Sequence, residues 1–181
     1  MGQYYLPIFL DEKTDGNEKI LAHMTSWDYH NGAKLMEHSF VGNHFMNTIE
    51  NELSPKGKYS KKRLVWAGDY ADNEPSSDSN LFQLCTDDLK IMPETVRNLA
   101  KYRYLLNHTK KEFVNMRQLD KGGSGWEVHP LSILTCEGNG RGGGDYSGVG
   151  IEYVGIWARD SISVANRKPK GFTEIKPRFK L

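Results

Sequence analysis

The stretch Glu137-Gly138-Asn139-Gly140-Arg141-Gly142-Gly143-Gly144-Asp145-Tyr146-Ser147-Gly148 holds the densest pattern with chemical potential in this chain. It places six glycines around the opposite charges of Arg141 and Asp145. Glycine admits positive φ and lets a backbone or a phosphate approach closely. Gly138-x-Gly140-x-x-Gly143 matches the letters of a dinucleotide fingerprint. That fingerprint works only when a helix N-terminus follows the loop and meets the pyrophosphate. Here residues 149–154 read as strand, and no Gly-Lys-Ser/Thr follows to make a P-loop. Two uses remain: a wide connection between strands, or a backbone nest that holds a phosphate of a nucleic acid. Asp69, Glu137 and Asp145 could offer oxygen ligands, but no metal-ligand spacing supports them, so the reading is no metal and no cofactor. Cys136 falls in an apolar run and no serine sits in a nucleophile elbow.

Charge is the second pattern. The net charge is +1, yet it is distributed in blocks. Residues 1–54 carry eight acids against three bases, and the acids Asp69, Asp72, Glu74, Asp78, Asp87, Asp88 and Glu94 crowd residues 69–94. Lys56, Lys58, Lys61, Lys62 and Arg63 form a basic run, and residues 161–181 carry six bases against Glu174. Such blocks are either solvated faces or phosphate contacts, with Tyr59 and Phe179 placed to stack on bases. A near-neutral total disfavours a generic nucleic-acid binder. It suits a protein that docks on another protein and reaches RNA locally. The candidate RNA- or partner-binding residues are Lys13, Lys19, Lys58, Lys61, Lys62, Arg63, Lys110 and Lys111.

The elements that must position these groups follow from periodicity and punctuation. Residues 3–10 and 18–24 read as a hairpin turning at Asp15-Gly16, with the charged tip 11–19 projecting as a finger. Pro7 suggests an edge strand. Residues 43–53 read as a helix capped by Asn43, with Phe45, Met46, Ile49 and Leu53 on one face. Residues 63–70 read as a strand, 81–89 as a short helix, and 93–100 as another. Residues 101–107 and 112–116 form a second hairpin, and 122–125 a flexible connector. Residues 126–135 and 151–164 read as long strands flanking the glycine-rich loop, with Trp66, Trp126 and Trp157 in the core. The expected class is α+β: a mostly antiparallel twisted sheet with an N-terminal β-hairpin and one to three helices. All 181 residues make one domain, with 1–24 as the projecting hairpin and 165–181 as a basic tail. No apolar run approaches the roughly 20 residues that span a bilayer. The N-terminus lacks a basic segment followed by a long apolar one. With two distant cysteines, these features place the chain in a reducing cytoplasm.

Several segments carry a resemblance. They are Met1-Gly2-Gln3-Tyr4-Tyr5, Gly32-Ala-Lys-Leu-Met-Glu-His-Ser39, Val65-Trp-Ala-Gly-Asp-Tyr-Ala71, Asn107-His-Thr-Lys-Lys111, the run from His129 through Tyr146, and Gly155-Ile-Trp-Ala-Arg-Asp160. Together they resemble a family of small proteins of gut Firmicutes and their mobile elements. By length, opening and N-terminal hairpin the chain is also similar to type II-A anti-CRISPR proteins that inactivate Cas9 by promoting truncation of its guide RNA. The resemblance implies Cas9 and its guide RNA as partners, in the cytoplasm of the bacterial host. Scission by 2′-OH attack would need a base, an acid and a cation, roles suited to histidine and to lysine or arginine. The candidates are His30, His38, His129, Arg141 and Asp145, the last three forming one constellation if the glycine-rich loop folds back. Two other readings stand beside it. One is a non-enzymatic protein-binding inhibitor of a host defence complex. The other is a small-ligand or nucleotide binder using the glycine-rich loop.

Overall fold

The computed structural model describes residues 2–93, 101–119 and 127–179. Within them, eight strands form a mixed but mainly antiparallel sheet carrying two α-helices, which is the expected α+β class. β1 (Tyr5–Leu10) and β2 (Ile20–His23) make the N-terminal hairpin. Its reversal uses Asp15 and Gly16 at φ of 51° and 81°, the left-handed pair that matches strand twist.

The hairpin does not project. β1 is an interior strand, paired on its far side with β3 (Arg63–Gly68), and all six of its residues are buried. Tyr5 and Phe9 enter the main core. Leu6, Ile8 and Leu10 join Val65, Ala67 and Leu81 in a second cluster on the other side. A strand buried on both faces shows no alternation, so it reads as a plain apolar run. Pro7 is therefore not on an edge. Its carbonyl accepts from the Met24 N–H at 3.1 Å, on the side where β2 has just ended. The donor that proline lacks would point the same way, toward Met24, so its absence falls where the β1–β2 ladder ends and costs the β1–β3 ladder nothing.

α1 (His44–Glu52) is the expected helix. Asn43 Oδ1 accepts from the Phe45 N–H at 2.8 Å and caps it. Phe45, Met46 and Ile49 are buried in the main core, each worth about 1.5–3 kcal/mol of burial. The second hairpin also forms, from β4 (Tyr104–Asn107) and β5 (Glu112–Asn115). β7 (Asp160–Ala165) joins the two halves, pairing with β3 through Leu64↔Asp160 and with β4 through Leu105↔Val164. β8 (Thr173–Glu174) runs parallel to β5, and Phe179 packs edge-on against Tyr146 and Tyr153. The basic C-terminal segment is thus folded onto the sheet through residue 179 and is not a tail.

Two predicted strands are corrected. Pro130–Thr135 is a helix, α2, with every residue buried. Pro130 at the first turn presets φ, and the His129 side chain accepts from the Leu131 N–H. A fully buried apolar run has no period to betray its type. The second strand shrinks to β7, because Gly150, Gly155 and Arg159 take φ of 90°, 72° and 64° and turn the chain before it. The glycine-rich loop instead follows β6 (Cys136–Glu137), a short strand parallel to β3. The segment 81–89 is turns with one 3₁₀ turn at Asp87–Leu89. The expected helix over 93–100 lies outside the described residues apart from Pro93, as do the connector 122–125 and Trp126, while Trp66 and Trp157 are core. Among the described residues no helix is long and apolar enough to cross a membrane.

Candidate functional site

The glycine-rich loop does form a backbone nest, but the chain fills it with its own carboxylate. Asp145 Oδ2 accepts from the N–H groups of Gly140, Arg141 and Gly142 at 2.7, 2.8 and 2.9 Å. Its Oδ1 accepts from the Tyr5 hydroxyl at 2.7 Å. Burial, and then this bond, push the Tyr5 pKa up. The Asn139 side chain grips the Tyr146 backbone at both its N–H and its carbonyl. Glycine is required at 142, where a Cβ would stand 2.9 Å from the Gln3 nitrogen. The phosphate-nest expectation fails, because the anion position is occupied from within. A single 3₁₀ turn, Ile151–Tyr153, follows the loop in place of the α-helix that a dinucleotide fingerprint needs, so the cofactor reading has no support either.

The five predicted catalytic residues are not assembled. Among the described residues, no hydrogen bond or ion pair joins the side chains of His30, His38, His129, Arg141 and Asp145 to one another. His129 is 2% exposed. Its Nδ1 accepts from Leu131 N–H at 3.1 Å, so Nε2 carries the proton and donates to Glu50 at 3.2 Å. Both ring nitrogens are committed. His38 Nδ1 accepts from the Lys34 N–H at 3.2 Å, and its ring lies where a Cβ on Gly32 would be. His30 is exposed and ends a 3₁₀ turn at φ 54°. Arg141 points outward to Asp72 at 2.7 Å and to the Tyr70 carbonyl. Among the described residues no three His, Cys, Asp or Glu side chains gather as a metal site. Of the three carboxylates considered for one, Glu137 binds Arg159, Asp145 fills the nest and Asp69 accepts from the Tyr4 N–H.

Five of the eight predicted RNA-binding cations, Lys13, Lys19, Lys62, Arg63 and Lys110, are neutralised internally. Arg63 forms a two-pronged pair with Glu18 at 2.6 and 2.9 Å. Arg159 directs all five donors to Glu18, Glu74 and Glu137. Lys62 and Lys19 both pair with Asp11, and Lys13 pairs with Glu18. The Glu18 side chain is 1% exposed. Burial alone would raise its pKa, but hydrogen bonds and charge from Arg63, then Arg159, hold it below the usual carboxylate range. These contacts strap the predicted finger to β3 and β7. Tyr59 is buried and stacks on Phe9 at 4.5 Å, so it is closed to a base, while Phe179 is half-buried with its ring edge-on to Tyr146 and Tyr153.

The remaining cations converge elsewhere. Period-2 alternation puts Tyr104, Leu106 and His108 on the face of the second hairpin away from the main core, opposite Asn115, Phe113 and Lys111. The Ser161 hydroxyl donates to the Lys61 carbonyl, and the Ser161 N–H donates to the Thr109 hydroxyl, which brings the basic run beside the β4–β5 turn. Lys111 lies 5.3 Å above the Phe172 ring, which packs edge-on against His108. Lys168 lies 5.5 Å above Phe113, and Arg103 5.1 Å above Tyr104. None of Lys61, Lys111 and Lys168 has a carboxylate partner among the described residues. Lys110 belongs to the fold, held by Asp160 and the Ile156 carbonyl, and Lys58 lies over the Tyr59 ring. His108 Nε2 and the Ser163 hydroxyl share a 2.7 Å bond. Burial first, then Lys61 and Lys111, lower its pKa and keep the ring neutral near pH 7. His108 was not among the expected site residues, although its place after Tyr104 and Leu106 on an alternating strand would have marked its face. Compared with family models, with curated proteins and with solved structures, the chain matches none.

Proposed function

We propose that this chain inhibits type II-A Cas9 in the bacterial cytoplasm by binding, with the basic face of β4, β5 and β8 set against phosphates of the guide RNA. The observation that carries this reading is the row Lys61, Lys111 and Lys168. Lys111 and Lys168 lie over aromatic rings, Lys61 stands close to His108, and none of the three has a carboxylate partner among the described residues, which is how a polyanion surface is built. The resemblance to guide-directed anti-CRISPR proteins supplies the partner. The commitment of His129, Arg141 and Asp145 to the fold argues against scission by those residues.

One observation favours a second reading, guide truncation. His108 is neutral and stands among cations, as a base for a 2′-OH must. A single denaturing gel separates the two. Guide RNA is incubated with the protein, with and without Cas9, and target cleavage is followed in parallel. Binding alone leaves the guide full-length while target cleavage falls. A discrete shortened guide that disappears with His108→Ala would replace binding by scission. Active Cas9 with an intact guide in every lane would overturn both.

A further inference from the structure

A cavity of about 260 Å³ lies between α1 and the start of the second hairpin. Its polar floor is the buried pair Glu50 and His129. His129 occupies Glu50 Oε1 at 3.2 Å, and Oε2 has no partner among the described residues. Tyr102 and Met116 form apolar wall, while Lys101, Arg103 and Arg117 bring three cations. The Arg103 Nε is shielded from solvent and has no acceptor among the described residues. That nitrogen is closed to the cavity as well, but none of Lys101, Arg103 and Arg117 pairs with a carboxylate among the described residues, so the cavity lining carries uncompensated positive charge.

The three cations call for an anion, the flat aromatic wall for a planar group, and the free carboxylate oxygen for a hydroxyl donor. A nucleoside monophosphate has all three. Its phosphate would meet Lys101, Arg103 and Arg117, its base Tyr102 and Met116, and a ribose hydroxyl Glu50. The volume lies near the lower end of ligand pockets, about 300 Å³, and suits one nucleotide. The cavity is also continuous with the basic face. Arg103 covers Tyr104, whose ring packs against Phe113 at 5.7 Å beneath Lys168, and Lys111 follows over Phe172. At about 3.4 Å per residue, Tyr104 and His108 stand about 14 Å apart along β4, a span of two or three phosphates.

We propose that this cavity is a nucleotide subsite at the end of the basic face, taking one terminal or unstacked nucleotide of a bound RNA. The proposal rests on the RNA-binding reading above, but its test does not need Cas9 or a guide. The whole chain is titrated calorimetrically with UMP, AMP, uridine, adenosine and inorganic phosphate. One saturable site for the monophosphates is expected, with nucleosides and phosphate each at least tenfold weaker. Arg117→Ala, on an exposed rim residue, should weaken UMP at least tenfold, and Lys34→Ala, which removes an equal charge away from both proposed sites, should leave it unchanged. No saturable nucleotide binding would overturn the subsite, as would binding that survives Arg117→Ala combined with Lys101→Ala, or phosphate binding as tight as UMP. Guide binding without UMP binding would remove the subsite alone. UMP binding with fully active Cas9 would remove the Cas9 reading and leave a nucleotide pocket.

Discussion

The two ends of the sheet use the same charged residue types to opposite ends. Beside β1 and β3, Arg63 and Arg159 are enclosed by Glu18, Glu74 and Glu137, and every donor of Arg159 has an acceptor. Beside β4, β5 and β8, Lys111, Lys168 and Arg103 lie over rings, and Lys111 and Lys168 pair with no carboxylate among the described residues. The first arrangement turns charge into cohesion: it ties the hairpin tip, the acidic loop at Glu74 and the strand before the glycine-rich loop to one guanidinium. The second keeps charge available, because a cation over a ring is only partly desolvated and still offers its field to a polyanion. A basic residue therefore signals function by what fails to neutralise it.

The sharpest way to break this contrast is Arg159→Met. It leaves the buried Glu74 and the half-buried Glu137 without their cation, while Glu18 keeps Arg63, and should cost about 3–5 kcal/mol in urea unfolding. A loss under about 1 kcal/mol would mean that the cluster is as solvent-screened as the basic face. Asp145→Ala removes the acceptor of three loop N–H groups and of the Tyr5 hydroxyl, and should cost about 2–3 kcal/mol. Amide exchange at Gly140, Arg141 and Gly142 should accelerate far more than exchange in α1.

Acid titration should resolve the two ends. The folded pKa of His108 lies below its unfolded value, so its contribution is present above about pH 6.5 and is lost as pH falls below that. Glu18 is also depressed, so its contribution holds until pH falls below about 4.3. His108→Asn should flatten the first decline and leave the second in place. The smallest effect on folding belongs to Lys111→Ala with Lys168→Ala, within about 0.5 kcal/mol. The same pair should weaken guide RNA binding at least tenfold and lower the salt slope by about one for each phosphate left without its lysine. Retained binding would place the RNA surface elsewhere.

Much of the fold was legible because local rules were decisive. Asn43 ahead of an apolar 3.6-residue period made α1, and Asp15-Gly16 between apolar runs made the first turn. Alternation around His108-Thr109-Lys110-Lys111 made the second hairpin. α2 was misread because six consecutive buried residues carry no period, and Pro7 because its missing donor falls where β2 ends. The candidate site was less legible. His129 and Asp145 had the right chemistry at the right spacing, but their partners, Glu50 and Tyr5, lie 79 and 140 residues away in sequence.

The sequence by itself determined the α+β class, the hairpins, the first helix and the existence of charged blocks, since these follow from neighbours within a few residues. Tertiary structure alone decided which charges are neutralised and which are free. Neutralisation of Arg63 by Glu18, or of the glycine nest by Asp145, depends on contacts a few ångströms long between segments far apart in the chain. Charge interactions fall with distance in space, and spacing along the chain does not report that distance.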